Sequence, residues 1–363
     1  MIRPRKSKIR RKSIDITMVV TPNAPPSLWK LLATCTHTLL HRSNAAEQAS
    51  SVLHIPVTLV QDICDLLPPV ARIALSQTCQ AFHNLFHGQC VAGMRNLSQQ
   101  ERLDVLVELA NILPDHRICF DCQCLHLLDI KDIPKNPHPY SYYKSPGCPF
   151  KDPIWSRHRT GPFYGLAFRH VQLATKFDRH TGWHPKYASG LMKKCKASHP
   201  SYKKVKQSFT AEPKIVQGRF LLHVTWTVRI LSGLATLDKL SRVFFCICPH
   251  LGLSPLPRGP NNGLETAIRA VLATDRSGGK HQERLHSCKS CPTNYLVTVE
   301  NGDTEVVVRV WQNLGDGLCQ QDPYWVSHIR SSTNNFLTGY DFPEDYGNIR
   351  ETFENSLPRP KYR

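Results

Sequence analysis

Apolar residues early in the chain recur at helical spacing and are interrupted by a pair of prolines. The first predicted helix carries an apolar face made of Leu59, Ile63 and Leu66 or Leu67. Pro68-Pro69 ends this helix, because a residue that precedes proline is pushed out of the helical conformation. Two further short helices follow, so the pattern predicts a three-helix module. Helices this short cannot enclose a sufficient core, and we expect the rest of the chain or a partner to cover them.

Later in the chain, apolar and polar residues alternate with the period of a β-strand. Four segments show this alternation: residues 214–228, 242–248, 295–300 and 304–311. Asn301-Gly302 is typical of a hairpin turn between the last two segments. Helical spacing appears at 169–177 and 263–273, and a capping box of Ser98 and Glu101 predicts a helix over 99–113. The patterns together predict the α+β class, with a helical module before a mixed domain whose sheet is partly antiparallel.

Charge is unevenly spread along the 363 residues, which carry a formal net charge of +18. Residues 1–12 hold seven basic side chains and no acidic one, and residues 131–220 hold eighteen basic against four acidic. The intervening helical section is acidic. We therefore divide the chain into four parts: a basic, disordered tail (1–50), the helical module with its following helix (51–113), a mixed Cys/His-containing domain (114–340) and a C-terminal tail (341–363).

The 14 cysteines make up about 4% of the chain, below the roughly 8–10% of scaffolds built on disulfides. No apolar run approaches the roughly 20 residues of a membrane span, and the basic N-terminus lacks the apolar core of a secretory signal. These observations predict an intracellular, reducing environment, without a membrane partner. The basic run from Arg3 to Lys12 is typical of a nuclear-import signal, so both nucleus and cytoplasm fit.

Two Cys-x-x-Cys pairs have the spacing with which two thiolates reach one tetrahedral zinc ion. A structural zinc site needs four ligands, and we expect Cys288 and Cys291 to be joined by Cys248 and His250, with Cys246 as a competitor. Such a site would tie the strand at 242–248 to the loop before residue 295. The alternative is that these cysteines are buried thiols that pack as small apolar side chains.

The earlier pair, Cys119 and Cys122, is the weaker candidate for a structural zinc site. Its other half would come from Cys148 together with His126 or Cys124. These ligands lie in a segment rich in Pro, Cys, His and Tyr that we expect to be dominated by loops.

The helical module resembles an F-box. The resemblance rests on Ile55-Pro56-x-x-Leu59, the helical positions Ile63 and Leu67, the proline-rich break, and Leu75, Thr78-Cys79 and Phe82. Thr58 stands where the F-box commonly has Glu, and Pro69 stands where an acidic residue is common. The resemblance covers about 40 residues.

Segments farther along the chain are similar, in their order, to a large group of F-box-containing proteins of filamentous fungi. These segments are RICFDCQCLH (117–126), RHVQLATKF (169–177), PKIVQGRFLLHVTW (213–226), CPHL (248–251), CKSCPTNY (288–295), VWQNLGDG (310–317) and DPYW (322–325). Their number and order are more specific than the F-box pattern alone.

This resemblance implies a substrate receptor of a cullin–RING ubiquitin ligase, which performs no bond chemistry itself. The F-box would bind the Skp adaptor and through it a cullin, and the second domain would bind an unknown target protein. The residues implied in adaptor binding are Ile55, Pro56, Leu59, Val60, Ile63, Leu67, Leu75 and Phe82.

The sequence also bears on two other functional classes, enzymes and nucleic-acid-binding proteins. The chain has no G-x-S-x-G, H-E-x-x-H or complete phosphate-loop motif, so the sequence does not indicate an enzyme. The basic middle of the chain has tyrosines among its lysines, for example Tyr187 and Tyr202 near Lys193 and Lys203. Such residues can hold phosphates and stack bases, so a zinc-binding, basic nucleic-acid-binding protein is the alternative function.

Overall fold

A computed structural model describes most of the chain after its N-terminal segment. The described residues are 56–76, 80–134, 157–159, 164–202, 204–241, 245–253, 263–276, 283–301, 304–329 and 346–356. The basic tail, Ile55, Thr78-Cys79, Cys148 and Gly302 lie outside the described residues. Within the described residues, no helix combines the length and the apolar character needed to cross a membrane.

The chain divides into two compact units, of which the first contains the described residues up to 102. Its helices are α1 (Val57–Leu66), α2 (Pro69–Ser76) and α3 (Gln80–Asn96). The predicted break at Pro68-Pro69 is confirmed, since Leu67 is extended and α2 begins at Pro69. The Arg72 side chain donates to the carbonyl oxygens of Asp65 and Leu67, both at 3.2 Å, and so satisfies backbone groups at the end of α1.

Helices α4 to α10 complete the helical elements that the structure describes. They are α4 (Gln99–Ile112), α5 (Phe168–Arg179), α6 (Pro185–Leu191), α7 (Leu237–Ser241), α8 (Gly263–Arg276), α9 (Pro323–Val326) and α10 (Ile349–Asn355). The predicted capping box at α4 is confirmed. The Ser98 N–H donates to Glu101 Oε2 at 2.7 Å, and the Glu101 N–H donates to Ser98 Oγ at 3.3 Å.

The second unit is built on a six-stranded sheet and three short hairpins. The strands are β1 (His116–Cys119), β2 (Cys124–Leu127), β3 (Arg157–Arg159), β4 (Gly165–Ala167), β5 (Cys195–Tyr202), β6 (Val205–Val216), β7 (Arg219–Ile230), β8 (Phe245–Cys248), β9 (Leu251–Leu253), β10 (His286–Ser287), β11 (Thr293–Glu300) and β12 (Glu305–Asn313). The order in the large sheet is β10-β11-β12-β7-β6-β5, and each neighbouring pair is antiparallel. The short hairpins are β1–β2, β3–β4 and β8–β9.

One strand prediction is wrong in its connectivity. The segment 214–228 is not a single strand, because the chain reverses at Gln217-Gly218 between β6 and β7. Both residues have positive φ, 52° and 76°, as a tight hairpin turn of two residues requires. The pairing of β11 with β12 agrees with the predicted hairpin, and Asn301 adopts φ 56° at its turn.

The main core lies on one face of the large sheet. Alternate residues of β6, β7 and β12 point into it, and the Trp226 ring centroid lies 4.7 Å from that of Phe209 in an edge-to-face contact. Helix α8 contributes Leu264 and Ile268 to the same core.

The opposite face of the sheet is partly covered by α10. Ile349 and Phe353 of this helix pack with Leu221, Leu296 and Trp311 in a second apolar cluster. These helical residues lie within 341–363, which the sequence analysis assigned to a C-terminal tail. The prediction is wrong for α10, because two buried side chains fasten this short helix to the sheet.

Candidate metal centre

The four predicted zinc ligands of the later Cys-x-x-Cys pair meet in the second unit. The metal-binding atoms of Cys248, His250, Cys288 and Cys291 all lie within 4.8 Å of one another, so the group can hold a metal ion. We call these four residues the first metal centre. Cys248 Sγ lies 3.8 Å from Cys288 Sγ, and Cys288 Sγ lies 3.7 Å from His250 Nδ1. A tetrahedral ion with metal–sulfur distances of about 2.3 Å sets its sulfur atoms about 3.8 Å apart, so the measured spacing fits such an ion.

A closed turn positions the Cys288 and Cys291 side chains between β10 and β11. The Cys288 N–H donates to the Thr293 carbonyl at 2.9 Å, and the Thr293 N–H donates to the Cys291 carbonyl at 2.7 Å. The Ser290 N–H points at Cys288 Sγ, at 3.5 Å. These bonds direct both sulfur atoms to one side of the turn, which explains why the Cys-x-x-Cys spacing is suited to metal binding.

The β8–β9 hairpin supplies the other two residues and settles the competition between Cys246 and Cys248. The pairing register shifts between these two residues, so they do not occupy equivalent positions on the strand. The Cys246 thiol donates to the Cys248 carbonyl at 2.7 Å and does not belong to the group. His250 follows in the turn, and the Gln312 side chain anchors the hairpin by donating to the Ile247 carbonyl at 2.7 Å.

The three cysteines of the first metal centre differ in pKa. Hydrogen bonds from Cys248 and Cys291 lower the pKa of Cys288 far below its ordinary value, whereas burial raises the pKa of Cys248 and of Cys291. Without a cation, the site thus favours one thiolate that accepts from two thiols. Several buried negative charges would be costly unless a positive ion compensated them, and a bound metal ion supplies that compensation.

Polar residues behind the first metal centre were not identified from the sequence. The Thr293 hydroxyl lies 3.2 Å from Cys291 Sγ and 3.0 Å from His328 Nε2. His328 Nδ1 lies 2.7 Å from the Tyr324 carbonyl, which can only accept, so Nδ1 carries the proton and Nε2 accepts from Thr293. Burial lowers the pKa of His328 to about 4, which favours this neutral form. Residues placed like Thr293 and His328 orient metal ligands. Their spacing in the sequence does not predict this role.

Tyr346 connects the C-terminal segment to the same turn. Its single hydroxyl hydrogen is shared between the Cys288 carbonyl, at 2.8 Å from the hydroxyl oxygen, and the Thr293 carbonyl, at 3.1 Å. A few residues later, the Ile349 N–H donates to Asn294 Oδ1 at 2.8 Å. The segment that leads into α10 therefore holds the metal-binding turn from outside.

A second group of metal-binding side chains lies at the tip of the β1–β2 hairpin. Cys119, Cys122 and His126 have their metal-binding atoms within 4.8 Å of one another. Cys124 is not in this group, and its thiol donates to the Cys122 carbonyl at 3.2 Å. The predicted fourth ligand, Cys148, lies outside the described residues.

The residues predicted to bind an adaptor differ in exposure. Leu59 and Ile63 are 50% and 44% exposed, and Pro56 is also exposed. Val60 is buried in the helical unit, so its side chain is not available to a partner. The side chains of intermediate exposure are Leu67, Leu75 and Phe82.

The basic middle of the chain is only partly a free cationic surface. Lys194 forms an ion pair with Glu212. Tyr187 is buried and donates its hydroxyl hydrogen to the Asp132 carbonyl at 2.9 Å, so its ring cannot stack on a base. Lys193 and Lys196 are exposed.

Comparisons with family models, with curated proteins and with solved structures returned no match to this chain.

Proposed function

We propose that the chain is a non-catalytic substrate receptor of a cullin–RING ubiquitin ligase. In this proposal, the helical unit binds the Skp adaptor, and the second unit captures a target protein. The observation that carries the proposal is an exposed apolar stripe on α1, formed by Leu59, Ile63 and Leu66.

The stripe has the features of a helix surface that binds a partner. Its residues are separated by four and three positions, which places them along one side of the helix. They lie beside Val60 and Cys64, which are buried, and away from the polar side that carries Gln61 and Asp65. Leu66 is 86% exposed. Leaving large apolar side chains in water is unfavourable by roughly 1.5–3 kcal/mol each, and such surfaces commonly mark an interface.

The first metal centre, in this proposal, holds a structural zinc ion in the second unit. Three thiolates and one imidazole form a complete tetrahedral ligand set, which leaves no position for a substrate or a reactive water molecule. That arrangement supports a stabilising role and agrees with a receptor that performs no catalysis.

The adaptor contact can be tested by co-purifying the full chain with the Skp adaptor. We expect wild type to co-purify with the adaptor and a cullin. The double variant Leu59→Glu/Ile63→Glu should co-purify with at least about tenfold less adaptor, since two apolar contacts are removed. The control is Gln61→Glu, which adds one negative charge on the opposite side of α1, against the two that the double variant adds. Helical content measured by circular dichroism should be equal in all three proteins.

The proposal is wrong if wild type retains no adaptor, or if the double variant and Gln61→Glu retain it equally. Binding to an unidentified protein does not count in its favour.

A further inference from the structure

We propose that the tip of the β1–β2 hairpin is a second zinc site, formed by Cys119, Cys122 and His126. It is separate from the first metal centre in sequence and in its set of ligands. It goes beyond the receptor function proposed above and does not depend on that function. Two thiolates and an imidazole are a ligand combination that suits zinc, and a water molecule can take the fourth position, as it does at zinc sites with three protein ligands.

The hairpin register explains why these side chains meet. Cys119 pairs with Cys124 and closes the hairpin, so both point to the same face. His126 follows Cys124 by two residues and therefore points to that face as well. Cys122 reaches the face from the turn, which Gln123 closes with a left-handed φ of 52°. A strand period of two and a tight turn thus bring together three ligands from eight consecutive residues.

The distance between Cys122 and His126 indicates that a metal ion would replace a proton that their side chains share. Cys122 Sγ lies 2.9 Å from His126 Nε2, a hydrogen-bond distance. Sulfur and nitrogen ligands of one tetrahedral zinc ion are about 3.6 Å apart, so binding requires these atoms to separate by less than about 1 Å. Binding would release the proton from the pair, as it does at other thiolate–imidazole sites. Cys119 and Cys122 are buried, whereas His126 is partly exposed and leaves an approach for the ion.

The base of the hairpin is anchored by contacts that need no metal ion. Ile118 packs in an apolar cluster with Leu106 and Ala110. The buried Lys176 ammonium donates to the carbonyl oxygens of Leu113 and His116, both at 2.6 Å. These contacts hold the hairpin in place before the ion arrives. We therefore expect the second site to bind zinc on a preformed scaffold, with little effect on whether the second unit folds.

The test is the zinc content of the purified full chain, measured with the Cys122→Ser and His126→Ala variants. We expect two zinc ions per wild-type chain and the loss of one ion in either variant, because a two-ligand remnant binds zinc weakly. Cys124→Ser is the matched control and should retain both ions, since that residue lies outside the group. All four proteins should unfold cooperatively on heating, which shows that each variant is folded.

A second measurement keeps the test valid if a variant folds poorly. Wild type should release zinc to a chelator in two kinetic phases, and the faster phase should be absent in His126→Ala. Equal zinc contents and release phases in wild type, Cys122→Ser and His126→Ala would overturn the second site. The Cys288→Ser variant tests the first metal centre separately. It should lose the slowly released zinc ion of that centre and keep the rapidly released ion of the second site.

Discussion

The two Cys/His groups use the same side chains but occupy different kinds of structure. The first metal centre joins the β8–β9 hairpin to a turn 40 residues later, between β10 and β11, and three of its members are completely or nearly completely buried. The hairpin-tip group comes from a single turn and its two strands, with a partly exposed histidine. The first metal centre links distant segments of the chain, and the hairpin-tip group lies within one local element.

This difference teaches how a metal ion couples to folding. Bringing together segments separated by a long stretch of chain costs entropy, which ligand bonds must offset. Ligands that a hairpin already holds together carry almost no such cost. The first metal centre should therefore stabilise the second unit more strongly than the hairpin-tip site does.

The largest effect is expected from Cys288→Ser/Cys291→Ser, which removes half of the first metal centre. We expect the free energy of unfolding of the second unit to fall by at least about 4 kcal/mol, because loss of a structural metal site is among the most destabilising changes. Urea unfolding followed by tryptophan fluorescence measures it, since Trp226, Trp311 and Trp325 are buried in this unit. Cys246→Ser, the control outside the group, should cost about 1 kcal/mol or less. Equal unfolding midpoints for the double variant and wild type would contradict a stabilising role of the first metal centre.

An intermediate effect is expected from Lys176→Met, which removes the anchor of the β1–β2 hairpin. The carbonyls of Leu113 and His116 lose this donor, although the Leu113 carbonyl keeps the His116 N–H, and the expected cost is about 1–3 kcal/mol. Lys193→Met is the control, because Lys193 is exposed. If both variants unfold at the same urea concentration, the buried ammonium does not anchor the hairpin.

The same lysine predicts a pH dependence. Burial lowers the pKa of Lys176 to about 7, below its ordinary value of 10.5. Between these two values the unfolded chain binds more protons, so this group makes the folded state more stable as pH rises from about 7 towards about 10. The neutral amine still has two N–H donors for the two carbonyls. The difference in unfolding free energy between wild type and Lys176→Met should therefore grow over that pH range, and a constant difference would contradict the lowered pKa.

The smallest effect is expected from Tyr346→Phe, which loosens the outer support of the first metal centre. Removing its hydroxyl group leaves the Cys288 and Thr293 carbonyls without this donor and should cost about 1 kcal/mol. Zinc release from the first metal centre to a chelator should also become faster, because the turn is less restrained. Thr352→Ala in α10 serves as the control, since its hydroxyl donates to the Asn348 carbonyl at the start of the same helix, at 3.0 Å. Unchanged release rates in Tyr346→Phe would show that the C-terminal segment does not support the centre.

The sequence predicted the first metal centre better than it predicted the strands around it. Cys-x-x-Cys and the nearby Cys-Pro-His are local patterns, and their side chains have few other uses when placed together. The sequence already favoured Cys248 over Cys246, and the shifted register of β8 and β9 leaves Cys246 outside the group. The β6–β7 turn was missed because Gln217-Gly218 lacks the Asn or Asp that usually precedes glycine in such turns.

The sequence by itself determined the helical and strand periods, the helix break at Pro68-Pro69, the cap of α4 and the residue types able to bind a metal ion. Those properties follow from local backbone preferences and side-chain chemistry within a few residues. Only the tertiary structure decided that Cys246 stays outside the first metal centre, that Val60 is buried while Leu59 is exposed, and that α10 packs on the sheet. Each of these outcomes depends on contacts between segments distant in the chain, and no local pattern records which of the available partners packs most closely.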